Sequence, residues 1–341
     1  MARRMKPTVA IFDSGGDDET YFREHLGEDF RLVLRGGGLT DGTAGPAADA
    51  VVLSVSAASG VTAGLLESRL PQVQLIACRS TGYDNVDRAY ARAHQITVSN
   101  VPTYGDTTVA EYAALLMLAV SRKLRQAMDA VDAGKVITAE LTGRDLQGRT
   151  LGLLGAGRIG RHLAGIARGF GLTVIASDPR PDEAAARSAG FRYVDSTELL
   201  ATSDVISLHA PALPQTHHLL DRAAFGRMKR GVIVINTSRG SLIDTPALIE
   251  ALEAGIVAGA GLDVLEGERF LESSNERQLL SSNVVDGRSR EVLALDVLTR
   301  MPNVVITDHN AFNTVEALQR IREGTVANIH AWHAGNPLNL V

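Results

Sequence analysis

Along the first hundred residues, short apolar runs alternate with stretches whose apolar positions recur every three or four residues. The runs at 8–12, 30–34, 50–53, 75–78 and 97–99 read as strands, and the patterns at 61–70 and 86–93 read as helices between them. The stretch 36–46, rich in Gly and Thr, reads as an irregular loop. Asn100-Val101-Pro102 marks a boundary. A long apolar helix is expected from Val109 to about Ala133, stopped by Gly134. A second alternating series follows, with strands at 150–154, 173–177, 205–208, 232–236, 259–263 and 304–307. The segment 314–334 reads as a helix, with Asn313 or Thr314 as its cap and Glu316 in its first turn. The polar stretch 270–300 has helical rather than strand character. Strands alternating with helices imply parallel sheets with crossover helices, an α/β fold.

Composition narrows the classes. At 341 residues the chain is too long for one ordinary compact domain and comfortable for two. Hydrophobic residues make up 45% and charged residues 21%, enough to build a sizeable core. A net charge of -5 argues against a nucleic-acid surface, which relies on clustered Lys and Arg. A single cysteine, Cys78, excludes an intrachain disulfide and fits a reducing compartment; in its apolar run it reads as a buried core residue. No apolar stretch reaches the roughly 18 residues of a membrane span, and no signal segment opens the chain, so a soluble cytoplasmic protein is expected.

The second series opens with Leu151-Gly152-Leu153-Leu154-Gly155-Ala156-Gly157-Arg158-Ile159-Gly160. Glycines in this spacing also serve ordinary turns, but here they follow a strand and open a helix, expected over 159–168. Gly155 would make the tight turn, Gly157 would let a pyrophosphate approach the backbone, and Gly160 would let helix and strand pack closely. The helix N-terminus offers free N–H groups to the phosphates. The next strand ends at Asp178, about where an acid that binds the adenosine ribose belongs. A carboxylate there repels a 2′-phosphate, so NAD is favoured over NADP, although Arg180 nearby keeps dual use open. Asp178-Pro179 also reads as a plain turn start.

Strand ends of a doubly wound sheet face the ligand crevice. The residues just beyond them are His209-Ala210-Pro211, then Asn236-Thr237-Ser238-Arg239-Gly240, then Asp263, Glu266 and Glu268, and finally Asp308 and His309. An arginine, several acids and two histidines therefore gather on one edge.

In these motifs the sequence resembles the D-isomer-specific 2-hydroxyacid dehydrogenase family, in its D-lactate dehydrogenase-like branch. The residues that carry the likeness are CRSTGYDNVD (78–87), NVPTYGDTTVAEYAALLMLAVSRKL (100–124), LGLLGAGRIG (151–160), SDVISLHAPALPQTHHLL (203–220), INTSRGSLID (235–244), AGLDVLEGE (260–268) and HNAFNT (309–314). The likeness is weak before Leu75 and within 270–300. It implies two doubly wound domains flanking a cleft, a Rossmann NAD-binding domain (103–306) inserted into a flavodoxin-like substrate domain (1–102 plus 307–341). Val101-Pro102 and the region near Thr307 would act as hinges.

The resemblance also implies roles. Arg239 would hold the substrate carboxylate and polarise the 2-oxo group, which suits a planar fork of donors. His309 would be the acid/base, and Glu268 the acid that favours its charged form. Asp263 would contact the nicotinamide amide. His209, Pro211, Thr216 and Thr237 would line the cofactor, together with Arg158 and Ile159 of the glycine turn. Thr81 and Gly82 would grip the substrate carboxylate through backbone N–H groups, and Tyr104 and Phe312 would border the substrate. The expected activity is NADH-dependent interconversion of a small anionic 2-oxo acid and its D-2-hydroxy acid, by a homodimer to which the apolar helix at 110–121 contributes.

Other readings stand beside these. Arg239 serves equally as a cap for its turn, Glu266 as the working acid in place of Glu268, and His209 as a structural strand-end residue. His217 and His218 read as a solvated loop, and no metal is expected because no second cluster completes a site. His330 and His333 lie on the last helix, where Trp332 packs against the core. An NAD-sensing, corepressor-like protein is a rival function. So is a dehydrogenase of a phosphonate or phosphite-type anion, which needs further cations such as Arg79, Arg269 or Arg277 at the site. The interval from Glu268 to His309 is longer than is usual in the family.

Overall fold

The computed structural model describes residues 6–135, 139–267 and 287–341. The chain divides into two compact units, one of Met1–Gly105 with Asn313–Val341, the other of Asp106–Phe312. Among the described residues, no helix is long and apolar enough to cross a membrane.

The first unit opens with β1 (Thr8–Ile11), α1 (Asp17–Leu26), β2 (Arg31–Leu34), β3 (Ala50–Val55), α2 (Ala63–Arg69), β4 (Leu75–Cys78), α3 (Arg88–Ala93) and β5 (Thr97–Ser99). All pairings are parallel, in the order β2-β1-β3-β4-β5, the doubly wound order of flavodoxin-like sheets. β1 and β4 are buried at every position, which is why they read as unbroken apolar runs rather than as alternation.

The second unit begins with α4 (Asp106–Ser121) and α5 (Leu124–Asp132). The expected single helix from Val109 to Ala133 is thus two. Arg144 N–H donates to Ser121 O at 2.8 Å, and a Cβ on Gly143 would lie 2.6 Å from that same carbonyl. The 143–144 segment crosses the end of α4, takes its carbonyl, and the chain turns at Lys123 with φ +51°. Nothing in Ser121-Arg122-Lys123 itself opposes a helix; a distant segment ends it.

The unit continues through β6 (Thr150–Leu154), α6 (Arg158–Gly169), β7 (Thr173–Ser177), α7 (Glu183–Ala189), β8 (Arg192–Tyr193), α8 (Ser196–Thr202), β9 (Val205–Leu208), α9 (Arg222–Gly226), β10 (Val232–Asn236), α10 (Thr245–Glu253), β11 (Val257–Leu262), α11 (Gly287–Arg300) and β12 (Val304–Ile306). The two-residue β8 carries no apolar run and was not expected. The helical reading of 270–300 holds for α11, and 270–286 lies outside the described residues. The seven strands are parallel, in the order β12-β11-β10-β9-β6-β7-β8, the Rossmann winding with one strand added. Its direction reverses between β6 and β9, and ligands of such sheets bind beyond the strand ends at that point.

α4 carries no narrow apolar stripe because it is covered on most sides. Ala110, Ala113, Ala114, Leu116 and Met117 join the core under α6 and β6. Gly259 and Gly261 of β11 open room for it: a Cβ on either would come within 2.7 Å of Val120 Cγ1 or 2.9 Å of Leu116 Cβ. Finally α12 (Val315–His333) returns to the first unit. Thr314 is its cap, its Oγ1 accepting from Ala317 N–H at 3.2 Å. Ile329 is buried and Trp332 packs against the core of Phe22, Phe30 and Leu75, as expected. Asn328 donates to Asn100 O at 2.8 Å, fixing α12 to the strand end after β5.

Candidate active site

The turn after β6 is built by its glycines. Gly155 has φ +94°, a conformation side chains rarely allow, and a Cβ there would lie 2.8 Å from His209 C and 2.9 Å from Ala210 N. The turn therefore presses on the end of β9. A Cβ on Gly160 would lie 2.7 Å from Gly155 O, so α6 packs directly on the turn. Gly157, the N-cap of α6, is different: a Cβ there would meet nothing within 4 Å. Its lack of a side chain answers no contact inside the protein and suits a ligand approaching the free N–H groups that begin the helix.

Asp178 closes the same corner. Its Oδ2 accepts from Ala156 N–H at 2.9 Å and its Oδ1 from Arg180 N–H at 2.8 Å. The turn-start and ribose readings are thus compatible, since each carboxylate oxygen keeps a further acceptor position. Arg158 Nε lies 3.0 Å from Asp106 Oδ2 at the start of α4, a pairing no local pattern announced. Ile159 packs partly buried against the core under α6.

Beyond β9, His209 Nε2 pairs with Ser207 Oγ at 2.9 Å. Burial pushes its imidazole down to about 4, so the ring is neutral at neutral pH. Thr216 closes the next turn, its Oγ1 donating to Pro211 O at 2.6 Å and accepting from Leu213 N–H at 2.8 Å. Beyond β10, Asn236 shapes the Arg239 turn by accepting from Ser238 N–H at 3.0 Å and donating to Arg239 O at 2.9 Å. Ser238 Oγ ties that turn to Ala210 O at 2.6 Å, and Arg239 Nη1 donates to Ser238 O at 2.8 Å. Thr237 Oγ1 is buried and lacks a hydrogen-bond partner among the described residues. An orphaned hydroxyl at this strand end, open space over Gly157 and an acid beyond β7 together fit a bound dinucleotide.

The His309 loop is held by Asp263, only 1% exposed. Asp263 Oδ1 accepts from Thr307 Oγ1 at 2.6 Å and Asn310 N–H at 2.8 Å, and its Oδ2 from Ala311 N–H at 2.9 Å. His309 N–H donates to Asp263 O at 2.9 Å, and His309 stands at φ +44°. A left-handed histidine costs on the order of 1 kcal/mol and persists only where its surroundings fix it. Burial raises the Asp263 carboxyl above its usual range, against the pull of these donors. The Phe312 ring stands edge-on to His309, with centroids 6.4 Å apart. Sequence reasoning gave no site role to Ser207 or Asp106 and named Thr307 only as a hinge; as ordinary polar residues they give no signal of their own.

In the first unit the backbone after β4 is fixed by Thr81 Oγ1 donating to Val101 O (3.1 Å), Asn100 Nδ2 to Thr81 O (2.7 Å) and Ser80 Oγ to Gly82 O (2.6 Å). Tyr104 O accepts from Arg320 Nε at 2.8 Å. Arg79 is buried, donating to Phe12 O, Asp13 O and Ser54 Oγ, so the extra cation of the phosphonate reading is committed to the strand ends of its own unit. Arg269 and Arg277 lie outside the described residues, as does Glu268. Glu266 is engaged elsewhere: its Oε1 lies 2.7 Å from His218 Nε2. His217 and His218 are therefore no merely solvated pair, because folding brings an acid from 48 residues away onto them.

Residues 114–311 match the family described as D-isomer specific 2-hydroxyacid dehydrogenase, NAD binding domain. A 2-hydroxyacid dehydrogenase homolog of Zymomonas mobilis is 36% identical over 338 residues, covering 97% of this chain and 98% of its own length. The D-lactate dehydrogenase of Escherichia coli is 40% identical over 260 residues, 75% of each chain. Among solved structures, D-lactate dehydrogenase from Aquifex aeolicus complexed with NAD and lactic acid superposes with a TM-score of 0.85 at 32% identity, covering 96% of both chains. The apo-structure of the Escherichia coli enzyme gives 0.81 at 34% identity, covering 98% of this chain and 99% of that one. With a likeness that runs through both units and reaches this identity, the chain belongs to the D-isomer-specific 2-hydroxyacid dehydrogenase family, and is an NAD-dependent oxidoreductase of the 2-oxo acid and D-2-hydroxy acid couple.

Proposed function

We propose that the protein reduces a small 2-oxo acid of pyruvate size to its D-2-hydroxy acid, with Arg239, His309 and Glu268 as the catalytic residues. NADH, when bound, supplies the hydride to the carbonyl carbon. Arg239 holds the substrate carboxylate with its planar fork and polarises the 2-oxo group. His309 gives a proton from its ring to the carbonyl oxygen, a transfer typically worth roughly 10²- to 10⁴-fold. Glu268 is assigned to assist His309 on the family resemblance, and Phe312 borders the substrate. Thr81, Gly82 and Tyr104 are assigned to substrate recognition on the family resemblance. The observation that carries the reading is His309 itself, kept in a left-handed backbone by the buried Asp263. The pyruvate size rests on the relatives, several of which are named D-lactate dehydrogenases.

We also assign Gly155, Gly157 and Gly160, Asp178, His209, Pro211, Thr216, Thr237, Arg158, Ile159 and Asp263 to the cofactor, and a preference for NADH over NADPH to the Asp178 carboxylate. A homodimer is supported by the exposed apolar side chains Leu115, Leu118, Leu124, Met128 and Val131 on α4 and α5. A cytoplasmic setting is supported by the single buried cysteine, whose thiol burial pushes up to about 12.

The test is NADH consumption by the purified protein against pyruvate, hydroxypyruvate, glyoxylate, phenylpyruvate, oxaloacetate and phosphonopyruvate, with NADPH in parallel. Turnover with pyruvate or a near analogue, lost by at least ~100-fold in both Arg239→Ala and His309→Ala, is expected. Full activity in His309→Ala would overturn its role, and turnover confined to phosphonopyruvate would overturn the substrate.

A further inference from the structure

Among the described residues, one cluster of possible metal ligands uses none of the side chains assigned above to catalysis or to the cofactor. His217, His218 and Glu266 each present a donor atom within 4.8 Å of the others. We propose that these three side chains bind a divalent transition-metal ion of the Zn²⁺ class.

The donor set is chemically apt. Two imidazoles and one carboxylate hold zinc in sites that keep a fourth position for water. The spacing is close to what is needed. His218 Nε2 lies 2.7 Å and His217 Nε2 3.9 Å from Glu266 Oε1. Zinc at about 2.1 Å from each donor sets tetrahedral donors roughly 3.4 Å apart. The two distances bracket that value, so these two pairs need shifts of roughly 0.5–0.7 Å, and the third pair lies within 4.8 Å. The His217 side chain is 57% exposed, with its ring centroid 3.9 Å from that of His218.

The surroundings are those of an oriented site. His218 Nδ1 lies 4.0 Å from Asp244 Oδ2, so a carboxylate faces the ring nitrogen that a metal would leave unused. Thr245 Oγ1 lies 3.4 Å from Glu266 Oε2 and steadies the carboxylate. The backbone is set as well: His218 stands at φ +50° with its N–H donating to Ser241 O at 2.8 Å. A left-handed histidine held by a tertiary bond is a position the fold specifies rather than one the loop drifts into. The competing explanation is structural: the Glu266–His218 hydrogen bond alone fastens the 263–267 loop. That account leaves His217 only its ring contact with His218, and it is the residue that separates the two.

The experiment uses the full chain, stripped with chelator and exchanged into buffer, and titrates Zn²⁺ against a chromophoric competitor at pH 7.5 and 5.5. We expect one Zn²⁺ per chain with a micromolar Kd, weakened at least tenfold in His217→Ala and at least tenfold at pH 5.5, because imidazole binds metal only when deprotonated. Glu266→Gln, checked for native circular dichroism, should weaken it as much while keeping the residue's shape. No binding tighter than about 100 µM, or equal affinity in wild type and His217→Ala, would overturn the site, the second result assigning the ion to other histidines. The outcome is independent of the dehydrogenase reading, which is tested by turnover.

Discussion

Replacing the three glycines of the turn by alanine should give three different results, although sequence makes them look alike. At Gly155 a side chain must adopt φ +94° and its Cβ would sit 2.8 Å from the His209 carbonyl carbon. Backbone strain alone costs about 1–3 kcal/mol, and overlap with a strand end adds to it, so roughly 3 kcal/mol or more of stability should be lost. For a unit of about 200 residues that is a fall of about 6–12 °C in Tm. At Gly160 the overlap is with Gly155 O at 2.7 Å, a cost of about 1–3 kcal/mol, offset by roughly 1 kcal/mol of better helix propensity. At Gly157, φ is −69° and a Cβ meets nothing, so stability should move by no more than about 0.5 kcal/mol. The methyl group would instead occupy the approach of the pyrophosphate and weaken NADH binding by about 10- to 100-fold, equal to about 1.4–2.8 kcal/mol. Urea unfolding and NADH fluorescence titration of the variants separate the two quantities. A Gly157→Ala variant that binds NADH as wild type does, or that unfolds as early as Gly155→Ala, would overturn these assignments.

Three further perturbations bear on other parts of the molecule. Asp263→Asn sets an amide N–H₂ against one of the backbone or hydroxyl donors that the carboxylate now accepts, at a cost of about 1–3 kcal/mol, and should lower kcat at least ~10-fold by loosening His309; unchanged turnover would mean the loop is fixed by other bonds. His209, depressed to about 4 in the folded protein, takes up its proton in the unfolded chain first, so its effect is felt as stability falling from about pH 6.5 down to about pH 4, by roughly 3 kcal/mol at most. His209→Gln should remove that part of the acid dependence in urea titrations at pH 7 and 4.5, and an unaltered slope would count against it. On the proposed homodimer, light scattering should find the wild type dimeric and Leu118→Glu with Met128→Glu monomeric; a dimer surviving both changes would place the interface elsewhere.

The chain's local signals reached a long way. Strands buried on both faces, such as Val205–Leu208 and Val232–Asn236, are apolar at nearly every position, and that is visible one residue at a time. The glycine turn was legible because its glycines stand at fixed spacing between a strand and a helix, with positive φ at Gly155 and the helix N-cap at Gly157. Asp178 was picked out by its place at the end of the next strand and its spacing from the glycine turn. What stayed hidden depends on segments far apart in the chain. The break at Lys123 comes from residues 143–144, and the buried setting of Arg79 comes from the carbonyls of Phe12 and Asp13. Asp263 looked like a strand-end acid; that it accepts from Thr307, Asn310 and Ala311, and so sets the backbone of His309, appears only when β11 pairs with β12. His217 and His218 looked solvated until the fold laid Glu266 on them. Periodicity, turns and caps are properties of neighbours in sequence and can be read from it. Which donor meets which acceptor across tens of residues is set by strand order and loop closure, and the physics that selects those partners acts only in three dimensions.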